Sequence, residues 1–317
     1  MYELIEIMKI HHGFNALKLT DPVITLGIFD GVHTGHMAII KRLVSYAQEI
    51  KGESVVITFD PHPRMILDNH PERLFFLSSM DEKKTLLAST GIDHLIINEF
   101  NREFSRITAR EFVNDILAAK LGTRYMIVGH DHHFGHGGTG NYNTIREYAL
   151  KAGIIIVQVA GIESEGTTIS SSRIRDALLS GRLNDANKWL GYNYSLQGIV
   201  VRGRGIGSRK LGFPTANIEP LCRNKLIPAN GVYAVEVLID DDKLPGMLSI
   251  GTNPTVSQDQ VVISVEVHIF NFSKNIYGSK LQIIFRYRLR DEIKFSSTDE
   301  LSRQLKNDMA YTMKLLG

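Results

Sequence analysis

Residues 23–40 read VITLGIFDGVHTGHMAII. A mainly apolar run of strand length, Val23 to Leu26, leads into a turn holding Gly27, Gly31, Gly35, Asp30, His33 and His36. Beyond the turn, Met37, Ile40, Leu43, Val44 and Ala47 fall at spacings of three and four, which paints one apolar face on a helix that starts near Gly35 and ends near Gly52. The stretch therefore predicts a strand, a tight glycine turn and a helix. Glycines allow the backbone to turn sharply and approach a ligand, and the first helical amides point into the same space.

Working outward, short apolar runs recur at Val23 to Ile28, Ser54 to Phe59, His94 to Ile97, Tyr125 to Val128 and Ile154 to Val159, with helical patterns between them. One such helix opens at Thr108-Ala109-Arg110-Glu111, a capping-box sequence followed by the buried stripe Phe112, Val113, Ile116 and Leu117. Alternating strands and helices predict a Rossmann-like α/β domain, a parallel sheet covered on both faces that binds its ligand at the carboxyl ends of the strands. The pattern changes near Gly191, after the helical segment Leu183 to Leu190. Tyr194 to Arg202, Gly231 to Ile239, Met247 to Ile250, Val261 to Phe270 and Lys280 to Tyr287 read as strands without intervening helices, which predicts an antiparallel β-barrel. A terminal helix carries Leu301, Leu305, Met309 and Met313 at spacing four. The expected domains are 1–185 and 186–317.

Composition narrows the class. A chain of 317 residues with 43% hydrophobic and 22% charged residues has enough apolar material for two folded cores. Its 36 basic and 34 acidic residues nearly cancel, and no basic block suits nucleic acid or a membrane surface, so phosphate binding must be local. No apolar run approaches the roughly 20 residues of a membrane span. The single Cys222 forms no internal disulfide, and MYELIEIMKIHHGFN lacks the pattern of a secretory signal, so a cytoplasmic location is expected. No obligatory protein partner is implied.

In the opening turn, His33 and His36 can donate imidazole N–H bonds to a triphosphate where charge develops as pyrophosphate leaves. The alternative is a polar turn with two solvated histidines. The segment 169-ISSSRIRDALLSG-181 places Ser170 or Ser171 as an N-cap, with further hydroxyls and Arg175 at the same helix start. That set suits phosphate oxygens as well as simple capping.

Taken in order, G-x-FDG-x-H-x-GH, TFDPHP at 58–63, VGHDHHFG at 128–135 and ISSSRIR at 169–175 resemble the FMN adenylyltransferase module of prokaryotic bifunctional riboflavin kinase/FAD synthetases. The resemblance implies a nucleotidyltransferase-like fold with an ATP site at Gly27, Phe29, Asp30, Gly31, His33, His36, Asp131, Ser171, Ser172 and Arg175. It also implies a flavin-side role for Asp60, His62 and Pro63, which the residues alone leave as turn positions, Pro61 and Pro63 forcing an extended exit from the strand. His132 stands where the family commonly has Phe, and Ser172 where it has Thr. His130, Asp131, His132, His133 and His136 also allow a transition-metal reading, against which their crowding in one loop argues.

A second constellation follows at 202-RGRGIGSRKLGFPTANIEP-220. No helix follows these glycines, so a dinucleotide fingerprint fails on context, while a loop over ATP phosphates built from Gly205, Gly207, Lys210, Gly212 and Pro214 survives. If 215–217 is extended, Thr215 and Asn217 point the same way and offer two oxygen ligands to Mg²⁺. An ordinary Pro-Thr turn is the alternative. In 263-ISVEVHIF-270, Glu266 shares a strand face with His268 and Phe270, where it is either a solvated strand glutamate or a base for an attacking hydroxyl.

GFPTAN, Pro228 with Gly231-Val232-Tyr233, SIGTNPT at 249–255, VEVH and RLRDEIKF at 288–295 are similar to the riboflavin kinase domain of the same family. That resemblance implies Thr215 and Asn217 as Mg-ATP ligands, Glu266 as the base on the ribityl 5′-hydroxyl, and Arg290, Lys294 and Phe295 on the flavin side. Val256 and Asn271 depart from the family's common Phe and Asp. Riboflavin, FMN, FAD and ATP are then substrates and products, with Mg²⁺ accompanying ATP. The rivals are a kinase with a merely nucleotide-binding first domain and a non-catalytic flavin or nucleotide sensor.

Overall fold

The computed structural model describes residues 8–15, 17–129, 142–203, 213–240, 242–254 and 261–317. The chain divides into two units, Met1–Ser171 and Ser172–Gly317. In the first, β1 (Lys9–His12) and β2 (Val23–Leu26) lead to α1 (Thr34–Ile50), then β3 (Ser54–Asp60), α2 (Pro63–Leu67), α3 (Met80–Ala88) and β4 (His94–Glu99). Helix α4 (Ala109–Glu111) continues in wider π-type turns over Phe112–Lys120 and precedes β5 (Tyr125–Gly129), α5 (Tyr142–Lys151), β6 (Ile155–Val159) and the small hairpin β7 (Glu163–Ser164) and β8 (Thr167–Thr168).

Six strands form one parallel sheet in the order β1-β4-β3-β2-β5-β6. Side-chain alternation sorts the core into two layers. Ile24, Leu26, Val55, Ile57, Ile96 and Met126 pack with Phe112, Val113, Ile116 and Leu117 on one face. On the other, Val23, Val56, Leu95, Ile97 and Ile127 pack with Ile40, Leu43 and Ala47 of α1. The expected α/β domain with helices on both faces is present. The Thr108–Glu111 capping box closes in both directions. Strand β1 was not expected: KIHH is short, largely exposed and lies at the sheet edge, where a polar sequence carries no alternation signal. The exit from β3 also differs from expectation. Pro63 opens helix α2 rather than extending the chain, because the first helical position needs no N–H donor.

In the second unit, α6 (Ser171–Leu179, its first residue belonging to the first unit) and α7 (Leu183–Leu190) precede β9 (Ser195–Val201), β10 (Ala216–Pro220), β11 (Gly231–Ile239), β12 (Asp242–Pro254), β13 (Val261–Ile269), β14 (Lys280–Arg290) and α8 (Thr298–Leu316). The strands close an antiparallel barrel in the order β10-β13-β12-β11-β14-β9. Leu178 O accepts from Ala229 N–H at 3.0 Å and Asn187 Nδ2 donates to Phe285 O at 3.1 Å, so α6 and α7 both pack on the barrel. Gly191 caps α7 in the left-handed region.

The buried stripe of α8 differs from the expected one. Leu305 and Met309 pack against Phe213, Met247 and Phe270, while Asp308 and Thr312 are buried and Met313 is exposed. Residues at strict spacing four drift around a helix of 3.6 residues per turn, so the contacting stripe is 305, 308, 309 and 312.

Candidate active sites

The glycine turn of the first unit sits at the carboxyl end of β2, next to the neighbouring strands β3 and β5. Gly31 takes φ +78°, and Phe29 and Val32 also lie at positive φ, 50° and 36°. For a β-branched residue such as Val32 this conformation costs about 1–3 kcal/mol, a cost its burial and that of Phe29 help offset. The Phe29 ring meets the His36 ring edge-on at 5.1 Å. His33 caps α1, with Nδ1 accepting from the His36 backbone N–H at 3.4 Å, which leaves the proton on Nε2. The two imidazoles stack 3.7 Å apart. Burial holds the His36 pKa well below the usual histidine range, and His33 and Lys83 push in the same direction. His36 is therefore a neutral ring near pH 7, and among the described residues its buried Nδ1 has no hydrogen-bond partner.

Asp30 is buried. Its carboxylate accepts from the backbone N–H groups of Leu77 at 2.9 and 3.1 Å and of Ser78 at 3.1 Å, and its carbonyl accepts from Ser171 Oγ at 2.9 Å. Ser78 Oγ in turn accepts from Gly31 N–H at 3.0 Å. Asp30 thus ties the glycine turn to the start of α3. Gly27 N–H donates to Ile57 O at 3.0 Å. Asp60 ends β3 and is exposed, and His62 caps α2 through Nδ1 while stacking on Phe76 at 4.9 Å. Lys83, which the sequence did not single out, is buried on α3 with Asp30, Asp60 and His36 around it. Asp131 and its histidine neighbours at 130, 132, 133 and 136 lie outside the described residues. Elsewhere, among the described residues, no group of His, Cys, Asp and Glu has the arrangement of a metal site. Ser172 and Arg175 belong to the second unit, where Arg175 Nη1 donates to Ser172 Oγ at 3.4 Å.

In the barrel, Asn217 of β10 pairs in register with Glu266 of β13. Thr215 Oγ1 donates to Glu266 Oε2 at 3.0 Å. The period-two expectation for Thr215, Asn217 and Glu266 thus becomes one cluster of oxygen groups. Any side chain at position 203 would collide with the Asn217 amide, so Gly203 is what allows the adjoining backbone to pass. His268 Nδ1 donates to Pro214 O at 2.7 Å and fixes the residue before Thr215. A cavity of about 460 Å³ opens beside them, lined by Pro214, Thr215, Val267, Ile269, Phe272 and Tyr277. Gly205, Gly207, Lys210, Gly212 and Val256 lie outside the described residues.

On the loop after β14, Lys294 is exposed and the Arg290 guanidinium lies 5.8 Å from the centre of the Phe295 ring. Arg290 also makes a bidentate ion pair with Asp308 of α8, Nη2 to Oδ2 at 2.7 Å and Nε to Oδ1 at 3.2 Å. The sequence reading missed Asp308, whose only signal was an acidic residue inside the apolar stripe of α8.

Two family models match the chain: FAD synthetase over residues 16–173 and riboflavin kinase over 190–316. The bifunctional riboflavin kinase/FMN adenylyltransferase of Listeria monocytogenes is 36% identical over 94% of this chain and 94% of its own length. That of Escherichia coli K12 is 35% identical over 98% of each. A crystal structure described as a macrolide-efflux protein from Streptococcus pneumoniae has a TM-score of 0.87 and 32% identity, covering 97% of this chain and 99% of that one. Among the described residues here, no helix is long and apolar enough to cross a membrane. The chain belongs to the bifunctional riboflavin kinase/FMN adenylyltransferase family.

Proposed function

We infer that the two activities use the two clusters separately: the barrel transfers the γ-phosphoryl group of ATP to riboflavin, and the parallel-sheet unit transfers AMP from ATP to the FMN so formed, releasing pyrophosphate. The functional boundary is assigned to 185/186, between the two matched segments. Small molecules suffice as partners, and the single cysteine suits a reducing, cytoplasmic setting.

In the kinase step, the observation that carries the assignment is the Thr215–Glu266 contact beside the cavity. Glu266 accepts the proton of the ribityl 5′-hydroxyl as that oxygen meets the γ-phosphorus. Thr215 donates its own proton to Glu266, which turns its oxygen into the acceptor a cation needs, and the Asn217 side-chain carbonyl adds a second hard oxygen. That donor set fits Mg²⁺, which when bound with ATP would neutralise phosphate charge. Pro214 and the glycine-rich segment with Gly205, Gly207, Lys210 and Gly212 are assigned to the ATP phosphates, and Arg290, Lys294 and Phe295 to the flavin side.

In the adenylyl step, the N-terminus of α1 with His33 and His36 is assigned to the ATP phosphates. His33 donates through Nε2, and neutral His36 donates to the charge that develops on pyrophosphate. Gly27, Phe29, Asp30 and Gly31 shape that turn; Asp131, Ser171, Ser172 and Arg175 are assigned to ATP by the family's motifs, and Asp60, His62 and Pro63 to the flavin. No covalent enzyme intermediate is needed. Incubating the purified chain with riboflavin, ATP and Mg²⁺ and separating the flavins tests the reading. FAD is the expected product; FMN alone would leave a kinase with a binding domain, and no turnover would leave a sensor.

A further inference from the structure

Lysine is almost never fully buried without a partner, because an unpaired ammonium loses its hydration for nothing in return. Lys83 is 6% exposed. The Ser79–Glu82 capping box fixes the first turn of α3, and Lys83 is the next residue, so its place is set by backbone geometry rather than by a charge partner. Among the described residues its ammonium makes no ion pair and no hydrogen bond. Its charged surroundings are Asp30, within the glycine turn, and Asp60, at the end of β3, and its own charge acts on His36. Burial pulls its pKa below the usual lysine range, and the two carboxylates oppose that pull. The hydrogen bonds from Leu77 and Ser78 to the Asp30 carboxylate dock the start of α3 on the glycine turn assigned to the triphosphate, and Lys83 is buried one turn further on, with the charges of Asp30 and Asp60 both acting on it.

We propose that Lys83 is a substrate-binding catalytic residue of adenylyl transfer, its ammonium contacting both the phosphate monoester of FMN and the α-phosphoryl group of ATP. The inference rests on the adenylyltransferase reading above. In that reaction an FMN phosphate oxygen forms a bond to the α-phosphorus while the bond from that phosphorus to the bridging oxygen breaks, and the electron pair leaves with pyrophosphate. No proton transfer is required, so no base is needed at this position. What the step does require is a cation that lets two anions approach, and a buried ammonium supplies it at little reorganisation cost. Asp30 and Asp60 favour the charged form of the lysine against the pull of burial.

The test compares Lys83→Met, Lys83→Gln and Lys83→Arg with the wild type as full chains, reading FAD formation with FMN and ATP varied separately and riboflavin phosphorylation in the same preparations. Methionine and glutamine should lower kcat/KM for FMN adenylylation by about 10²–10³-fold, the usual loss for a preorganised donor at a developing charge. Arginine should recover part of it, and riboflavin phosphorylation should stay at the wild-type rate. Thermal unfolding without ligand separates this role from a structural one. Lys83→Met should unfold no lower than wild type, since a buried charge has been replaced by an apolar chain, and should lose the upward shift that FMN gives the wild type. Adenylylation by Lys83→Gln within about threefold of wild type, or a ligand-free midpoint that drops while the FMN shift persists, would overturn the proposal. Absence of FAD formation by the wild type would instead reject the adenylyltransferase reading itself.

Discussion

Thr215 Oγ1 lies 3.0 Å from Glu266 Oε2 and gives it a hydrogen bond across two antiparallel strands. The contact orients the carboxylate while leaving its second oxygen for an incoming hydroxyl. Replacing Glu266 by Gln keeps the shape and removes the basicity. Riboflavin phosphorylation should fall by about 10²–10⁴-fold, the usual contribution of a general base, with FMN adenylylation largely intact. Equal loss of both activities in assays started from riboflavin and from FMN would reject separable sites.

Arg290 and Asp308 form the buried ion pair that fixes α8 to the end of β14, with side-chain exposures of 16% and 6%. Removing one partner strands the other charge away from water. Asp308→Ala should therefore destabilise the barrel by about 3–5 kcal/mol in urea unfolding. Replacing both partners should cost less than Asp308→Ala alone, because no charge is then left unpaired. A double variant as unstable as the sum of the two single ones would show that the pair is not coupled.

The parallel sheet was legible because strands buried on both faces read as nearly continuous apolar runs, as VITL and VVITF do with one threonine each, and because α1 repeats its apolar face over several turns. Thr215, Asn217 and Glu266 were legible because period two is rigid: once residues are in a strand, the face they share follows. Lys83 was not. It adjoins Lys84, and the two are equivalent in the sequence MDEKKTLLA, yet Lys84 pairs with Asp81 at the surface while Lys83 is buried. Only the docking angle of α3 separates them. The Arg290–Asp308 pair was hidden for a similar reason, since a contact between the end of a strand and a later helix has no local signature. The apolar stripe of α8 was misplaced by one step because Asp308 and Thr312 interrupt it with polar residues that are nonetheless buried.

Asp30 holds two backbone N–H groups of the segment before α3, so its removal should act on the fold of the site before it acts on chemistry. An asparagine retains one acceptor oxygen and turns an NH₂ group towards a backbone donor. Asp30→Asn should cost about 1–3 kcal/mol and reduce FMN adenylylation, while riboflavin phosphorylation by the same chain persists. Urea unfolding with the two assays checks both halves of the expectation.

His36 gives the first unit a definite pH response. Its pKa in the folded chain is depressed, chiefly by burial, from the ordinary 6.5 that applies when unfolded. Between those two values the unfolded chain binds a proton that the folded chain refuses, so stability falls as the pH is lowered. The contribution is complete above 6.5 and is lost progressively below it, towards the folded value. His11 is depressed as well, again chiefly by burial, and responds with the same sign, so the wild-type profile alone does not isolate either ring. The difference between wild type and His36→Gln does. Thermal unfolding midpoints of the two should run parallel above 6.5 and converge below it, the wild type losing more. Profiles that stay parallel through the whole acid range would mean that His36 accepts its proton as readily in the folded turn as in the unfolded chain, and a neutral donor to pyrophosphate would then be the wrong description of the ring.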